Sequence, residues 1–267
     1  MIYMKIEIDF TRPAQENLSD YFDDSKHARR KLASTETAIQ VTKEKIEHEV
    51  AHPVQVLTKR IEKRQLPTRW FEKLRWTFSG QGFLIVGGRD ATQNDIIYNK
   101  YTDPHDIVLH ADVAGAPLTV IKTEGKEVPV ETLKEAAQFA GVYSSAWKRG
   151  IGTIEVYWIK PDQVSKESGL HKGSFMISGK RNYLRAMMRL SVGVLDGMVV
   201  AGTEESVKSI CGHSITITPG STKKVDLAKK IKLNLLKLTN DESVMHVNFY
   251  EFERALPSGK GDILKQV

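Results

Sequence analysis

The chain has 267 residues, with 39 Lys+Arg against 33 Asp+Glu for a formal net charge of +6, and it is 40% hydrophobic and 27% charged. That composition excludes wholesale disorder, and the lack of an apolar run of about 18 residues excludes a membrane-spanning helix, so no membrane partner is expected. A single cysteine, Cys211, excludes a disulfide framework and a cysteine-based zinc site and fits a reducing cytoplasm. The first ten residues lack the basic-then-apolar order of a signal peptide. A surplus of this size names no partner by itself; where the charges sit decides.

Between Pro13 and Leu66 the sequence has no glycine and is dense in Glu, Lys, Gln, Thr and Ala, which predicts long helix. Leu18, Ser25, Leu32, Ile39 and Ile46 recur every seven residues, and Tyr21, Ala28, Thr35 and Thr42 form a companion row. This is half of a weak coiled-coil seam, which needs another chain, a second helix or the body of the protein as its partner. Pro53 is expected to break the helix, and Val54 to Gln65 to form a second short one.

From Trp70 onward β-rich runs alternate with turns, and every glycine lies at Gly80 or later. Strands are predicted at 83–87, 95–98, 106–110, 118–121, 153–158, 174–177, 188–192 and 214–218. One helix is predicted from Pro129 to Lys148, a hairpin at Asp196-Gly197 leading into Met198–Val200, and a short helix capped by Thr203. Two further helices are expected over 225–238 and 242–256. Strands and helices mix without strict alternation, so the fold class is α+β, with a mainly antiparallel sheet and packed helices. The predicted domains are a coiled-coil-like arm, 1–68, and a globular body, 69–267.

Several clusters could carry function. Gly87-Gly88-Arg89-Asp90 runs on to Gln93-Asn94: the glycines allow close backbone approach, Arg89 can fork a phosphate, and Gln93 and Asn94 can meet bases. The same residues also read as a turn plus helix cap with Arg89 and Asp90 paired. His110 and Asp112, two apart on a strand, would point together as an acid–base or metal pair, or His110 is a hydrogen-bonded core residue beside a turn. Tyr143-Ser-Ser-Ala-Trp-Lys148 reads as a phosphate or base contact or as a tightly packed core helix. Lys166, Lys172, Lys180, Arg181 and Arg185, with Phe175 and Tyr183 interleaved, suit looped RNA, cations tracking the backbone and rings stacking on bases; a solvated lysine loop is the other reading. Seven basic residues crowd the stretch from Lys59 to Arg75, and six lysines lie between Lys223 and Lys237, much of the latter set readable as an exposed helix face. No nucleophile elbow surrounds Ser144 or Ser145, and neither a P-loop nor a dinucleotide fingerprint is present.

Taken together, Trp70-Phe-Glu-Lys-Leu-Arg-Trp76, Gly82 through Asn94, His110-Ala-Asp-Val-Ala-Gly-Ala116, Tyr143-Ser-Ser-Ala-Trp147, Gln163-Val-Ser-Lys166 and Gly173 through Asn182 resemble the RNA-binding domain of the NFACT family. That family includes NEMF and its bacterial and archaeal ribosome quality-control relatives. The resemblance is collinear over about residues 70–200, and the preceding helix is similar to the return half of the family's coiled-coil hairpin.

The resemblance implies binding of tRNA and of a large ribosomal subunit carrying a stalled peptidyl-tRNA, in support of template-free tailing of the nascent chain. It calls for no cofactor, metal or catalytic residue, because the ribosome supplies the chemistry. Arg89, Lys180 and Arg181 would bind phosphate, Gln93, Asn94 and His110 would shape the pocket, and Asp90, Asp112, Lys166 and Lys172 would complete the RNA-binding set. The family's N-terminal domain and outgoing coiled-coil helix have no counterpart in this sequence. Three expectations follow: a fragment, a C-terminal half acting alone, or a product that pairs with a separate chain carrying the N-terminal domain. A homodimer through the arm is a further expectation. The alternative is an RNA- or nucleotide-processing enzyme using His110 and Asp112.

Overall fold

The computed structural model describes residues 8, 10–11, 13–51, 69–167, 170–239 and 242–264. The chain divides into two compact units, Met1–Lys63 and Arg64–Val267. In the first, helix α1 (Ala14–Ala51) runs without interruption, as a stretch free of glycine and proline should. Thr35, Thr37 and Thr42 turn their hydroxyls back onto the carbonyls of Lys31, Ala33 and Ala38, so these polar residues bond to the helix that carries them. Of the predicted seam, Leu18, Leu32 and Ile39 are 70%, 61% and 51% exposed. Ile46's side chain, the break at Pro53, the second helix over 54–65 and the basic run Lys59–Arg64 lie outside the described residues.

The second unit is built on a six-stranded antiparallel sheet. After a 3-10 turn (Trp70–Lys73) come β1 (Arg75–Phe78), β2 (Leu84–Gly87), α2 (Ala91–Tyr101), β3 (Ile107–Ala111) and β4 (Thr119–Lys122). Helices α3 (Val130–Val142) and α4 (Ser145–Lys148) lead to β5 (Thr153–Ile159), the short pair β6 (Val164–Ser165) and β7 (Met176–Ile177), and β8 (Asn182–Met187). The strand order is β1-β2-β4-β3-β5-β8. Adjacent residues on its strands enter opposite cores. Ile85, Leu109, Ile121 and Val156 join α3 residues such as Phe139, while Val86, Val108, Val120 and Tyr157 join Phe71, Leu74 and the α2 residue Ile97. Burial on both faces explains why the strands read as continuous apolar runs.

A second antiparallel sheet, ordered β10-β9-β11-β12, completes the unit with β9 (Leu190–Leu195), β10 (Met198–Gly202), β11 (Ile215–Thr222) and β12 (Gly261–Ile263). The β9–β10 hairpin turns at Asp196 and Gly197, both left-handed (φ 47° and 74°), as the Asp-Gly signal requires. Thr203 caps α5 (Glu204–Cys211), its hydroxyl accepting from the Ser206 amide. Helices α6 (Lys224–Thr239), α7 (Glu242–His246) and α8 (Phe249–Ala255) follow, with Leu227, Ile231, Leu235 and Phe252 in the same core as α3.

The α+β class and the mainly antiparallel pairing are as the sequence predicts; several elements are not. Residues 95–98 are helix, not strand. The Asp90 carboxylate accepts from the Gln93 amide and caps α2, a contribution of about 1 kcal/mol, and only Ile97 of the triplet Ile96-Ile97-Tyr98 is fully buried. The helix predicted over 129–148 is broken at Ser144, whose hydroxyl donates to Gly141 and accepts from the Ala146 amide to start α4. Asn248 divides the last predicted helix in the same way, accepting from the Tyr250 amide. The strand predicted over 188–192 begins only at Leu190, and Asn182–Met187, whose polar half resembles a loop, is a full strand on β5. The lysine-rich helix face holds for Lys229 and Lys230, whereas Lys232 donates to the carbonyls of Met245 and Val247 at the C-terminal end of α7.

Trp147 joins distant segments: it is 2% exposed, and its indole N–H donates to the Lys260 carbonyl at 2.9 Å. Trp147→Ala should lower unfolding stability by about 3–5 kcal/mol in urea titration, through the cavity and the lost hydrogen bond; a change under about 1 kcal/mol would remove this anchoring role.

Candidate nucleic-acid interface

The Gly87–Asn94 segment forms the joint between the sheet and α2. At Gly88 a Cβ would run into Asn94, whose Oδ1 accepts from the Leu118 amide at 3.2 Å, so close approach of the chain is what this glycine supplies. Gln93 returns the cap by accepting from the Arg89 amide at 3.1 Å. Asp90 and Gln93 therefore build the turn-plus-cap alternative. Arg89 is not ion-paired with Asp90 among the described residues. Its guanidinium donates to the carbonyls of Lys73, Leu74 and Arg254 at 3.4, 3.0 and 2.9 Å. Burial, with Arg254 and Arg75 nearby, brings its pKa down to about 10.

Arg75, which sequence reasoning placed in a basic run and in the Trp70–Trp76 motif but not among the site residues, lies at the centre. It donates to the Gly88 carbonyl at 2.6 Å and sits over the Tyr143 ring, 4.6 Å from the centroid. Its Nε is buried with no partner among the described residues. Arg75 and Arg89 line one cavity of about 710 Å³ together with Asp90, Asn94 and His110. Its floor is apolar, from Val108, Leu118, Tyr157, Ile159 and Phe175, and Ser144, Ser145 and Lys148 supply hydroxyls and a further cation. Of the predicted Tyr143–Lys148 cluster, Tyr143, Ala146 and Trp147 are core, and Ser144, Ser145 and Lys148 border the cavity.

His110 faces this cavity from β3, with backbone hydrogen bonds at Ala116 and Ala111; burial pulls its pKa down, which keeps it neutral at neutral pH. Asp112 lies just past the end of β3 and is exposed, its amide bonded to the Glu155 carbonyl. The two do not form a catalytic pair by hydrogen bond, and no group of three His, Cys, Asp or Glu that could hold a metal occurs among the described residues. Burial raises the Cys211 thiol to about 11, so it stays protonated at neutral pH.

The basic segment divides into two sets. Lys166 is ion-paired with Asp95 of α2 and sits 5.4 Å from the centre of the Phe175 ring. Asp95 also accepts from the Gly173 amide at 3.1 Å, which pins the loop to the helix. The Lys166 hydrogen bond, first of all, holds the Asp95 carboxyl below its ordinary value. Lys172 and Lys180 are exposed and make no ion pair among the described residues. Gln163 shapes the turn that presents Lys180, donating to the Ser178 and Lys180 carbonyls at 2.9 and 3.0 Å. Arg181 lies 4.8 Å from the centre of the Tyr157 ring, which meets Tyr183 edge-on at 5.9 Å. Tyr157 escaped sequence reasoning as a site residue because only the register of β3, β5 and β8 sets it beside His110 and Tyr183, and Arg75 because only the β1–β2 pairing brings it to Gly88.

An α+β unit with a cationic, apolar-floored cavity beside unpaired lysines and an Arg–Tyr–Tyr ledge has the make-up of a nucleic-acid-binding domain. Residues 73–179 match the family described as NFACT protein RNA binding domain, and the chain belongs to the NFACT family. It is 40% identical over 208 residues to the archaeal Rqc2 homolog aRqcH of Methanocaldococcus jannaschii, covering 74% of this chain and 30% of that protein. It is 38% identical over 179 residues to the human ribosome quality control complex subunit NEMF, covering 64% of this chain and 16% of that one. The chain thus spans less than a third of these relatives. A solved structure, the C-terminal part of the fibronectin/fibrinogen-binding protein from Streptococcus suis, is similar at a TM-score of 0.41 and 18% identity, covering 75% of this chain and 80% of that one.

Two outcomes test this geometry. Gly88→Ala should destabilise the chain by about 1–3 kcal/mol, because the new Cβ must push Asn94 off the Leu118 amide; unchanged thermal unfolding would refute the close approach. Asp95 has a lowered folded-state pKa, so its contribution is complete above the ordinary aspartate value and is lost as pH falls through the folded one. Asp95→Asn at neutral pH should therefore speed proteolysis within residues 166–173, as acid does for the parent chain; equal cleavage rates would show that the ion pair does not hold the loop.

Proposed function

We propose that this chain is the RNA-binding module of a cytoplasmic ribosome quality-control factor, contacting tRNA, large-subunit ribosomal RNA or both during rescue of stalled ribosomes and tailing of the nascent chain. The observation that carries the reading is the pairing of exposed, ion-pair-free Lys172 and Lys180 with the Arg181–Tyr157–Tyr183 ledge, at the C-terminal edge of the segment 73–179 that matches an RNA-binding domain. The cations attract the phosphate backbone, and the half-exposed Tyr183 ring offers a face on which a base stacks. The names of the relatives supply the ribosome quality-control setting. In this reading Arg89, Asp90, Gln93 and Lys166 shape the surface rather than touch RNA. The exposed Leu18, Leu32 and Ile39 of α1 suit either a second copy or a separate chain carrying the N-terminal domain.

Salt titration of tRNA and large-subunit RNA binding tests the surface. Lys172→Ala and Lys180→Ala should each flatten the log–log salt slope by about 0.7–0.9, the loss of one phosphate contact, without changing thermal stability. Wild-type slope and affinity in the double variant would place the RNA elsewhere.

A further inference from the structure

The cavity holds a charge arrangement that the surface reading does not use. Arg75, Arg89 and Lys148 line it against a single carboxylate, Asp90. Neither guanidinium has a salt-bridge partner among the described residues, and each lies within the electrostatic reach of the other. Arg254 and Lys224 add positive charge behind them. The Arg75 Nε is buried and unbonded. Buried like charges are costly; Asp90 near Arg75, Glu251 near Arg89 and Glu253 near Lys224 offset part of that cost, and an anion in the cavity would offset more. By contrast, another cavity, of about 450 Å³, sets four carboxylates, Glu131, Glu135, Glu204 and Glu205, against three cations, Lys134, Arg185 and Arg189.

The shape narrows the ligand. A volume of about 710 Å³ exceeds what an inorganic anion needs, and it lies within the range of pockets that enclose small organic molecules. Tyr157, Phe175 and Ile159 give an apolar floor, and Asn94 keeps its Nδ2 as a donor once Oδ1 is taken by Leu118. A planar heterocycle fits such a floor, and a phosphate answers the cationic wall.

We infer that this cavity is a nucleotide pocket: it seats one base on the Tyr157–Phe175 floor, with its phosphate facing Arg75 and Lys148. The ligand is either a free mononucleotide or a nucleotide swung out of an RNA loop. The second source rests on the proposed RNA-binding function and places the pocket next to the Arg181–Tyr183 ledge, since Tyr157 belongs to both. An unpaired base would enter while the strand follows Lys172 and Lys180, so unpaired RNA is preferred over duplex.

The test uses the full chain and two probes. The four 5′-mononucleotides are titrated by calorimetry, and an RNA hairpin with 2-aminopurine in its loop is followed by fluorescence beside a blunt duplex of equal length. Two variants probe the pocket: Lys148→Ala removes an exposed cation, and Ser174→Trp plugs the rim at an exposed position. Thermal unfolding confirms that both remain folded. Mononucleotide binding weakened about tenfold or more by either variant supports the pocket with a free ligand, because a charge-assisted phosphate contact is lost or the space is filled. Loop-base fluorescence that changes in the parent chain and not in Ser174→Trp, without mononucleotide binding, supports the RNA source. Hairpin and duplex bound equally, with no fluorescence response and no mononucleotide binding, overturns the pocket and leaves the lysine surface standing. A parent chain that binds neither RNA nor any mononucleotide overturns both, whereas mononucleotide binding without RNA binding overturns the lysine surface alone.

Discussion

Burial of the six-stranded sheet on both faces is the constraint from which the rest of the domain follows. Each strand sends one residue to the α3 core and the next to the α2 side, as Ile85 and Val86, Leu109 and Val108, and Ile121 and Val120 do. A fully buried aliphatic side chain contributes about 1.5–3 kcal/mol, so a one-residue slip would exchange two cores at once and the register is tightly set. That register in turn sets Tyr157 beside His110 and opposite Tyr183. The aromatic ledge and the cavity floor are by-products of the same pairing.

The α2 side does not close completely over the sheet. Helix α2 enters at Asp90, held by the Gly88–Asn94 contact, and Asp95 ties both Lys166 and Gly173 to it. The remaining opening is bordered by charge and hydroxyls instead of aliphatic groups. Arginine suits this border: Arg89 satisfies three carbonyls at once, and Arg75 bonds to one carbonyl while packing its planar head on Tyr143. Both are structural and electrostatic together. They fix the local backbone and hold positive potential at a place where water is partly excluded and charge acts strongly.

The basic segment follows a division of labour that composition hides. Lys166 and Lys180 look alike in the sequence, yet one is ion-paired to hold a loop and the other stands exposed on a turn shaped by Gln163. Surface cations free of ion pairs keep their full attraction for a polyanion, whereas a paired lysine has already lost most of it.

Local rules were enough for much of this protein. Absence of glycine and proline set the long arm helix, Asp196-Gly197 set its hairpin, Thr203 set a cap, and collinear motifs set the family. They misread 95–98, where three apolar residues in a row carry no period and the cap at Asp90 decides, and 143–144, where one serine hydroxyl restarts a helix. The site was legible in outline, because Arg89, Asp90, Asn94 and His110 do meet at one cavity. Which of them keeps a free donor was not legible, nor were Arg75 and Tyr157. Sequence records each residue's chemistry and its neighbours along the chain. Whether a guanidinium faces a carbonyl, a ring or an open cavity depends on segments far away in the chain, and only packing of both sheet faces brings those together.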